Sequence, residues 1–311
     1  MSMGTAEARY RQLEQTRQSY LDRARDCSEL TIPSLIPQDV HNETSDLYTP
    51  FQGIGARGVN NLASKLSIAL MPPNSPFFRF MVEPYTLKEM AQDEAARTSI
   101  EQQLGEYERA VMSEIETSGD RVAMHEALKH LIVGGNVLLH VGADKTRVIH
   151  LDSYVVSRAP SGDVLEIVVV EHVSPNALDK ATAANISGKL EGDEKTVEVY
   201  THIERKNEFF NVYQEVKGTV VSGSKGRYKK GSVPFLPLRF SRIDGEDYGR
   251  GFVEELLGDL RSLEGLSQAI VEGAAAAAKV LFMVNPNGTT RMRTIAQAEN
   301  TAIIEGNRND V

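Results

Sequence analysis

Residues 248–279, YGRGFVEELLGDLRSLEGLSQAIVEGAAAAAK, read as one uninterrupted helix in a chain whose other segments divide between helix and strand. At about 1.5 Å per residue such a helix spans roughly 45 Å, more than a compact domain of this size needs, and this marks it as an architectural strut. Its faces separate. Leu256, Leu260, Leu263, Ile270 and Ala274 fall on one side at helical spacing, and Glu254, Arg261, Gln268, Glu272 and Lys279 form a polar stripe opposite. From Gly273 through Ala274, Ala276 and Ala277 to Ala278 no side chain exceeds a methyl group, so another helix can approach the backbone closely there.

The rest of the composition is that of ordinary globular protein. Of 311 residues 41% are hydrophobic and 25% charged, enough for one large or two modest domains. No apolar run approaches eighteen residues and the first 26 residues are charged throughout, which predicts neither a spanning helix nor a secretory signal, and no membrane contact by this chain. Cys27 is the single cysteine, so intrachain disulfides and cysteine-based metal sites are excluded. The formal charge of −9 argues against tight binding of nucleic acid by phosphate neutralisation.

Along the chain, residues 5–30 pattern as an amphipathic helix through Tyr10, Leu13, Tyr20, Leu21 and Ala24, stopped by Pro33 and Pro37. Residues 50–71 predict a second helix ended by Pro72 and Pro73. Residues 86–118 predict a long surface helix, and 121–134 a more apolar one closing at Gly134 and Gly135. The period then changes toward 2. Residues 136–141, 146–151, 163–172, 196–203, 209–216 and 235–240 read as strands, with 182–194 and 222–232 as exposed loops. Helices, then strands, then a long helix fit an α+β fold with a mainly antiparallel sheet better than βαβ repetition.

No motif supplies catalytic, cofactor-binding or metal-binding residues. Gly53, Gly55 and Gly58 match G-x-G-x-x-G, but a polar loop with Pro50 precedes them where a dinucleotide fold needs a buried strand, so close helix packing explains them better. His125 and His130 are five residues apart, about 140° around a helix, and cannot share a metal on one face; both read as partly exposed helical histidines. The basic turn 226–232 has phosphate-loop glycine spacing without the lysine that should follow the second glycine. Asp244, Glu246 and Asp247 read as acids complementing the dipole of the following helix, with a divalent cation as the competing role.

Residues 31–37 (TIPSLIP), 55–66 (GARGVNNLASKL), 126–139 (EALKHLIVGGNVLL), 153–158 (SYVVSR) and 200–203 (YTHI), with 242–264 (RIDGEDYGRGFVEELLGDLRSLE) and 284–288 (VNPNG), stand in an order that resembles the portal proteins, or head-to-tail connectors, of short-tailed bacteriophages. The resemblance implies a non-enzymatic virion component, assembled in the host bacterial cytoplasm as a ring of usually twelve copies at one capsid vertex. Double-stranded DNA passes through its channel without sequence specificity. The implied partners are terminase, the tail adaptor, and capsid and internal core proteins, with no cofactor. By the same likeness 1–246 is a wing, 247–280 the first stem helix and 281–311 the start of a clip, the second stem helix and crown lying outside this chain.

On that mapping the polar stripe faces the channel or the groove between neighbouring stem helices, with an outward solvated face as the alternative. Gly273, Ala274, Ala276 and Ala277 pack stem against stem. Asn285, Asn287, Arg291 and Arg293 belong to the surface that meets terminase and adaptor, the two arginines standing out in an acidic chain. Two other classes compete: a dinucleotide-dependent enzyme built on residues 53–58, which requires a strand ahead of Gly53, and a scaffold that binds only protein. Residues 301–305 read as a strand whose partner would follow Val311, so the sequence is expected to be an amino-terminal piece, or the ordered part, of a longer polypeptide.

Overall fold

A computed structural model describes residues 5–38, 46–73, 75–83, 85–86, 94–142, 144–178 and 196–278, and Arg293. The chain divides into two compact units, Met1–Ser262 and Leu263–Val311. Among the described residues the first holds four helices, α1 (Ala6–Glu29), α2 (Ile54–Leu70), α3 (Glu94–Thr117) and α4 (Asp120–Gly134), and two antiparallel sheets. A fifth helix, α5 (Phe252–Ala278), begins in the first unit, and its residues from Leu263 belong to the second.

The helices form where capping and periodicity dictate. Thr5 Oγ1 accepts from Ala8 N at the start of α1, whose buried side includes Ala6, Tyr10, Leu21 and Ala24. No residue of α3 is buried, as its surface pattern predicts. Gly135, in the left-handed region at φ 74°, ends α4 by donating from its N–H to Leu131 O.

The smaller sheet has the order β2-β1-β9, from β1 (Asn136–Val141), β2 (Thr146–Ile149) and β9 (Phe235–Arg239). In the larger sheet β3 (Tyr154–Arg158), β4 (Val164–Val173), β5 (Val197–Lys206), β6 (Phe209–Val216) and β7 (Thr219–Val220) follow in sequence, and β8 (Gly226–Lys229) pairs with β6. The mixed α+β class with antiparallel sheets is thus as the sequence predicts. The two-residue turn after β6 needs positive φ at both Lys217 (48°) and Gly218 (72°), the hairpin geometry that matches strand twist.

Side-chain alternation along β4 divides the core. Ile167 and Val169 pack with Leu21, Leu138, Leu151, Tyr154 and Tyr248, whereas Val168 and Val170 pack with Ala6, Tyr10, Val155 and Tyr200. A third cluster joins Val59 and Ala63 of α2, Leu128, Ile132 and Val133 of α4, Val137 and Leu139 of β1, and Val253.

Polar anchors then fix α1 on the larger sheet. Arg9 donates to Glu166 from Nε at 2.9 Å and from Nη2 at 2.7 Å, and His202 Nε2 lies 2.7 Å from the same carboxylate. Burial alone would raise the Glu166 pKa, but the hydrogen bonds from His202 and Arg9 prevail and hold it at about 2, against an ordinary 4.5. A depressed carboxylate stabilises the fold fully above its unfolded pKa and loses that contribution as pH falls through the folded one. Unfolding free energy is therefore expected to drop by a few kcal/mol between pH 4.5 and about 2. In Glu166→Gln the drop should be smaller by that amount; an acid profile identical to that of the parent chain would refute this role.

Candidate functional site at the root of the long helix

Two chain segments cross where α4 passes into β1 and where residues 249–251 lead into α5. Asn136 ties them: its Nδ2 donates to Gly134 O at 3.0 Å and Gly249 O at 2.9 Å, and its Oδ1 accepts from Gly249 N at 2.7 Å. This uses most of the bonding capacity of a side chain that is only 1% exposed. A Cβ at Gly135 would overlap the peptide between Arg250 and Gly251, and one at Gly251 would overlap the Val133 carbonyl, so the crossing admits no side chain at either position.

Ser241 and Arg250 exchange backbone hydrogen bonds of 3.2 and 3.0 Å, which keeps residue 250 extended. Tyr248 is buried in the core, its hydroxyl accepting from Val156 N at 3.0 Å. The helix consequently starts at Phe252, not at Tyr248 as the periodicity suggests, because residues 248–251 are committed to the sheet and the crossing. The acids 244–247 take other roles than capping. Asp247 Oδ1 accepts from Arg158 N at 2.6 Å, Glu246 pairs with Arg250 at 3.1 Å, and exposed Asp244 pairs with Arg242 at 2.9 Å.

The polar stripe divides by partner. Glu254 pairs with Arg250 at 2.8 Å and Arg23 of α1 at 3.4 Å, and Arg261 pairs with Asp26 of α1 at 2.8 Å. These contacts fasten the first turns of α5 to α1. In the second unit Gln268 donates to Glu272 at 2.8 Å on an exposed surface. Gly273, Ala274, Ala276 and Ala277 are exposed, as are the apolar Leu266 (64%) and Ile270 (70%). Lys279, Asn285, Asn287 and Arg291 lie outside the described residues, as does the segment 182–194, and Arg293 is described only as an exposed helical residue. The expected strand at 301–305 is outside them too.

Two motifs resolve as packing and surface features. No strand stands in 46–53, so the context that a dinucleotide site requires is missing from the described residues. Gly55 instead permits α2 to approach the end of α1, where a Cβ would overlap Leu30 O, while Gln52 bridges the contact by donating to Leu30 O and accepting from Gly55 N. The basic turn carries the short strand β8, with the Arg227 guanidinium 3.5 Å from the centre of the Phe209 ring.

His125 is partly exposed as expected, but His130 is fully buried: the apolar face of α4 continues through it and packs against the smaller sheet. Burial, then neighbouring His150, push its pKa down to about 3, so the ring is neutral. Glu126, His130 and His150 come together, a grouping that the His125–His130 spacing does not reveal. The available signal is the i, i+4 spacing of Glu126 and His130, which places them on one face.

Between α2 and the first turns of α5 lies an open apolar groove of about 600 Å³, bordered by Ile54, Gly58, Leu62, Phe252, Leu256 and Leu260. The sequence pattern of the family described as bacteriophage head to tail connecting protein matches residues 3–311. The chain belongs to this family. Among curated relatives of this connector chain, the portal protein of Escherichia phage T7 is 40% identical over 319 residues, covering 98% of the chain and 59% of that protein. The portal protein of Enterobacteria phage T3 is 39% identical with the same coverage, and that of Enterobacteria phage SP6 is 30% identical over 95% of the chain and 58% of its own length. The connector chain thus spans somewhat over half the length of these relatives. No described helix is long and apolar enough to cross a membrane.

Proposed function

We propose that this chain is a structural, non-enzymatic part of a portal: a ring at the unique capsid vertex that forms the channel for DNA packaging and ejection and docks terminase and the tail adaptor. The observation that carries the reading is likeness to portal proteins over 95–98% of the chain. In this reading residues 1–246 serve as the wing, 247–280 as the first stem helix and 281–311 as the opening of the clip. The ring has usually twelve copies, is assembled in the host cytoplasm and meets capsid and internal core proteins. DNA slides through without sequence specificity, which suits a net charge of −9 that cannot neutralise many phosphates.

The geometry supports a division of labour along α5. Glu254 and Arg261 hold the helix root to α1, while Gln268 and Glu272 are left for the channel or the groove between neighbouring stems, with Lys279 assigned to them from the sequence stripe alone. Leu266, Ile270 and the small residues beyond them form the stem contact, because exposed apolar edges of this kind mark interaction surfaces. Ala276→Phe in the protein as its gene encodes it is expected to weaken assembly by roughly 1–3 kcal/mol per interface while leaving each subunit folded. Native mass spectrometry reads the result, and rings as abundant as those of the parent would remove this helix end from the interface. Arg291 and Arg293, with Asn285 and Asn287, are assigned to the adaptor-facing surface through pairing with carboxylates. Reversing both arginine charges should lower adaptor affinity with rings intact; undiminished affinity would contradict that assignment.

A further inference from the structure

His130 is completely buried, yet neither of its ring nitrogens has a hydrogen-bond partner. Buried polar atoms in folded proteins are bonded in the great majority, so the lone pair of this imidazole calls for a ligand. One turn earlier on the same face of α4 stands Glu126. Opposite, the chain leaving β2 presents His150, with its ring centroid 4.3 Å from that of His130 and its Nε2 3.5 Å from Glu126 Oε1. One donor atom from each of the three residues lies within 4.8 Å of the others.

We propose that Glu126, His130 and His150 form a binding site for a divalent transition-metal ion, with zinc the best match. Two imidazole nitrogens and one carboxylate oxygen are a donor set that zinc accepts at about 2.0–2.2 Å, with water completing a tetrahedron. The Glu126 and His150 side chains are 49% and 43% exposed, which gives the ion a path in and lets both rotate toward His130, the fixed member of the set. The site joins α4 to the turn after β2. That turn also supplies Leu151 and Asp152, whose carbonyls receive Arg17 of α1, so the ion reinforces a corner where α1, α4 and both sheets meet. The role is that of a structural staple, since metal held by the folded form alone stabilises that form.

The test uses the chain stripped with chelator and titrated with zinc chloride, then with cobalt chloride as a spectroscopic probe. One equivalent is expected to bind, to raise the melting temperature, and with cobalt to give the intense visible absorption of a four-coordinate ion. Glu126→Gln and His150→Phe keep side-chain volume and ring packing while removing a ligand. Each should cost at least the roughly 10–100-fold in affinity that follows from disturbing a ligand's supporting partner. His125→Gln, one residue off the site, should bind as the parent does. Affinity unchanged in both ligand variants, whose folding circular dichroism can verify, or no saturable binding by the parent, would overturn the proposal.

Discussion

Replacing Gly135 with alanine is expected to cost about 4 kcal/mol, a large share of the roughly 5–15 kcal/mol that holds an ordinary domain together. Two penalties combine: a left-handed φ of 74°, which for a residue with a Cβ costs roughly 1–2 kcal/mol, and direct overlap with the peptide between Arg250 and Gly251. The overlap involves backbone on both sides, so no rotamer relieves it, and it should reach the top of the roughly 1–3 kcal/mol range of overpacking. Urea denaturation should show a lower midpoint with an unchanged slope. Gly258→Ala is the control: nothing lies within 4 Å of its Cβ, and inside α5 it should stabilise by about 0.5–1 kcal/mol. Similar losses at the two glycines would show that the crossing is not what the sequence protects at 135.

Arg17→Met is the second large effect, expected at about 3–5 kcal/mol. Only 2% of Arg17 is exposed, and its Nη1 lies within hydrogen-bond distance of the carbonyls of Leu151, Asp152 and Tyr154 and of the Tyr10 hydroxyl, while Nη2 pairs with Glu14 at 3.1 Å. Methionine fills the space but takes this donor from three carbonyls at the corner, of which that of Asp152 keeps a further donor, the Tyr10 hydroxyl at 2.9 Å, and buried acceptors that lose a donor are what make such deletions costly. Arg17→Lys should recover less than half, because a single ammonium cannot reach both the carbonyl group and Glu14 in the same fork geometry. A loss under about 1 kcal/mol in the methionine variant would contradict this account of how α1 is held.

The elements most legible in the sequence are those whose burial is one-sided and whose ends are marked. Helices α1 and α4 are bounded by Thr5, Pro33 and Gly135, and β6 follows the residues assigned to it, 209–216. The missed strand β3 runs Tyr154-Val155-Val156 with all three buried, so no alternation marks it, and no glycine or proline separates it from the strand before. The start of α5 was obscured for a different reason: Tyr248 continues the helical pattern, but its side chain is claimed by the sheet, a tertiary commitment that no local signal carries. The polar stripe was legible as a stripe. What sets Glu254 and Arg261 apart from Gln268 and Glu272, a pair four residues apart, is their pairing to α1 across more than 200 residues of sequence. His130 was hidden because its neighbour His150 follows twenty positions later on another element, whereas the nearby His125 lies about 140° away around the same helix.

The proposed function has this chain form part of a ring through which DNA passes. Electron cryomicroscopy of the protein purified as its gene encodes it tests that claim most directly. The account predicts closed rings of uniform copy number, with a central hole wide enough for a DNA duplex and with α5 helices of neighbouring subunits side by side around it. Particles that remain monomers or dimers at micromolar concentration, or assemblies with no hole of that width, would contradict it.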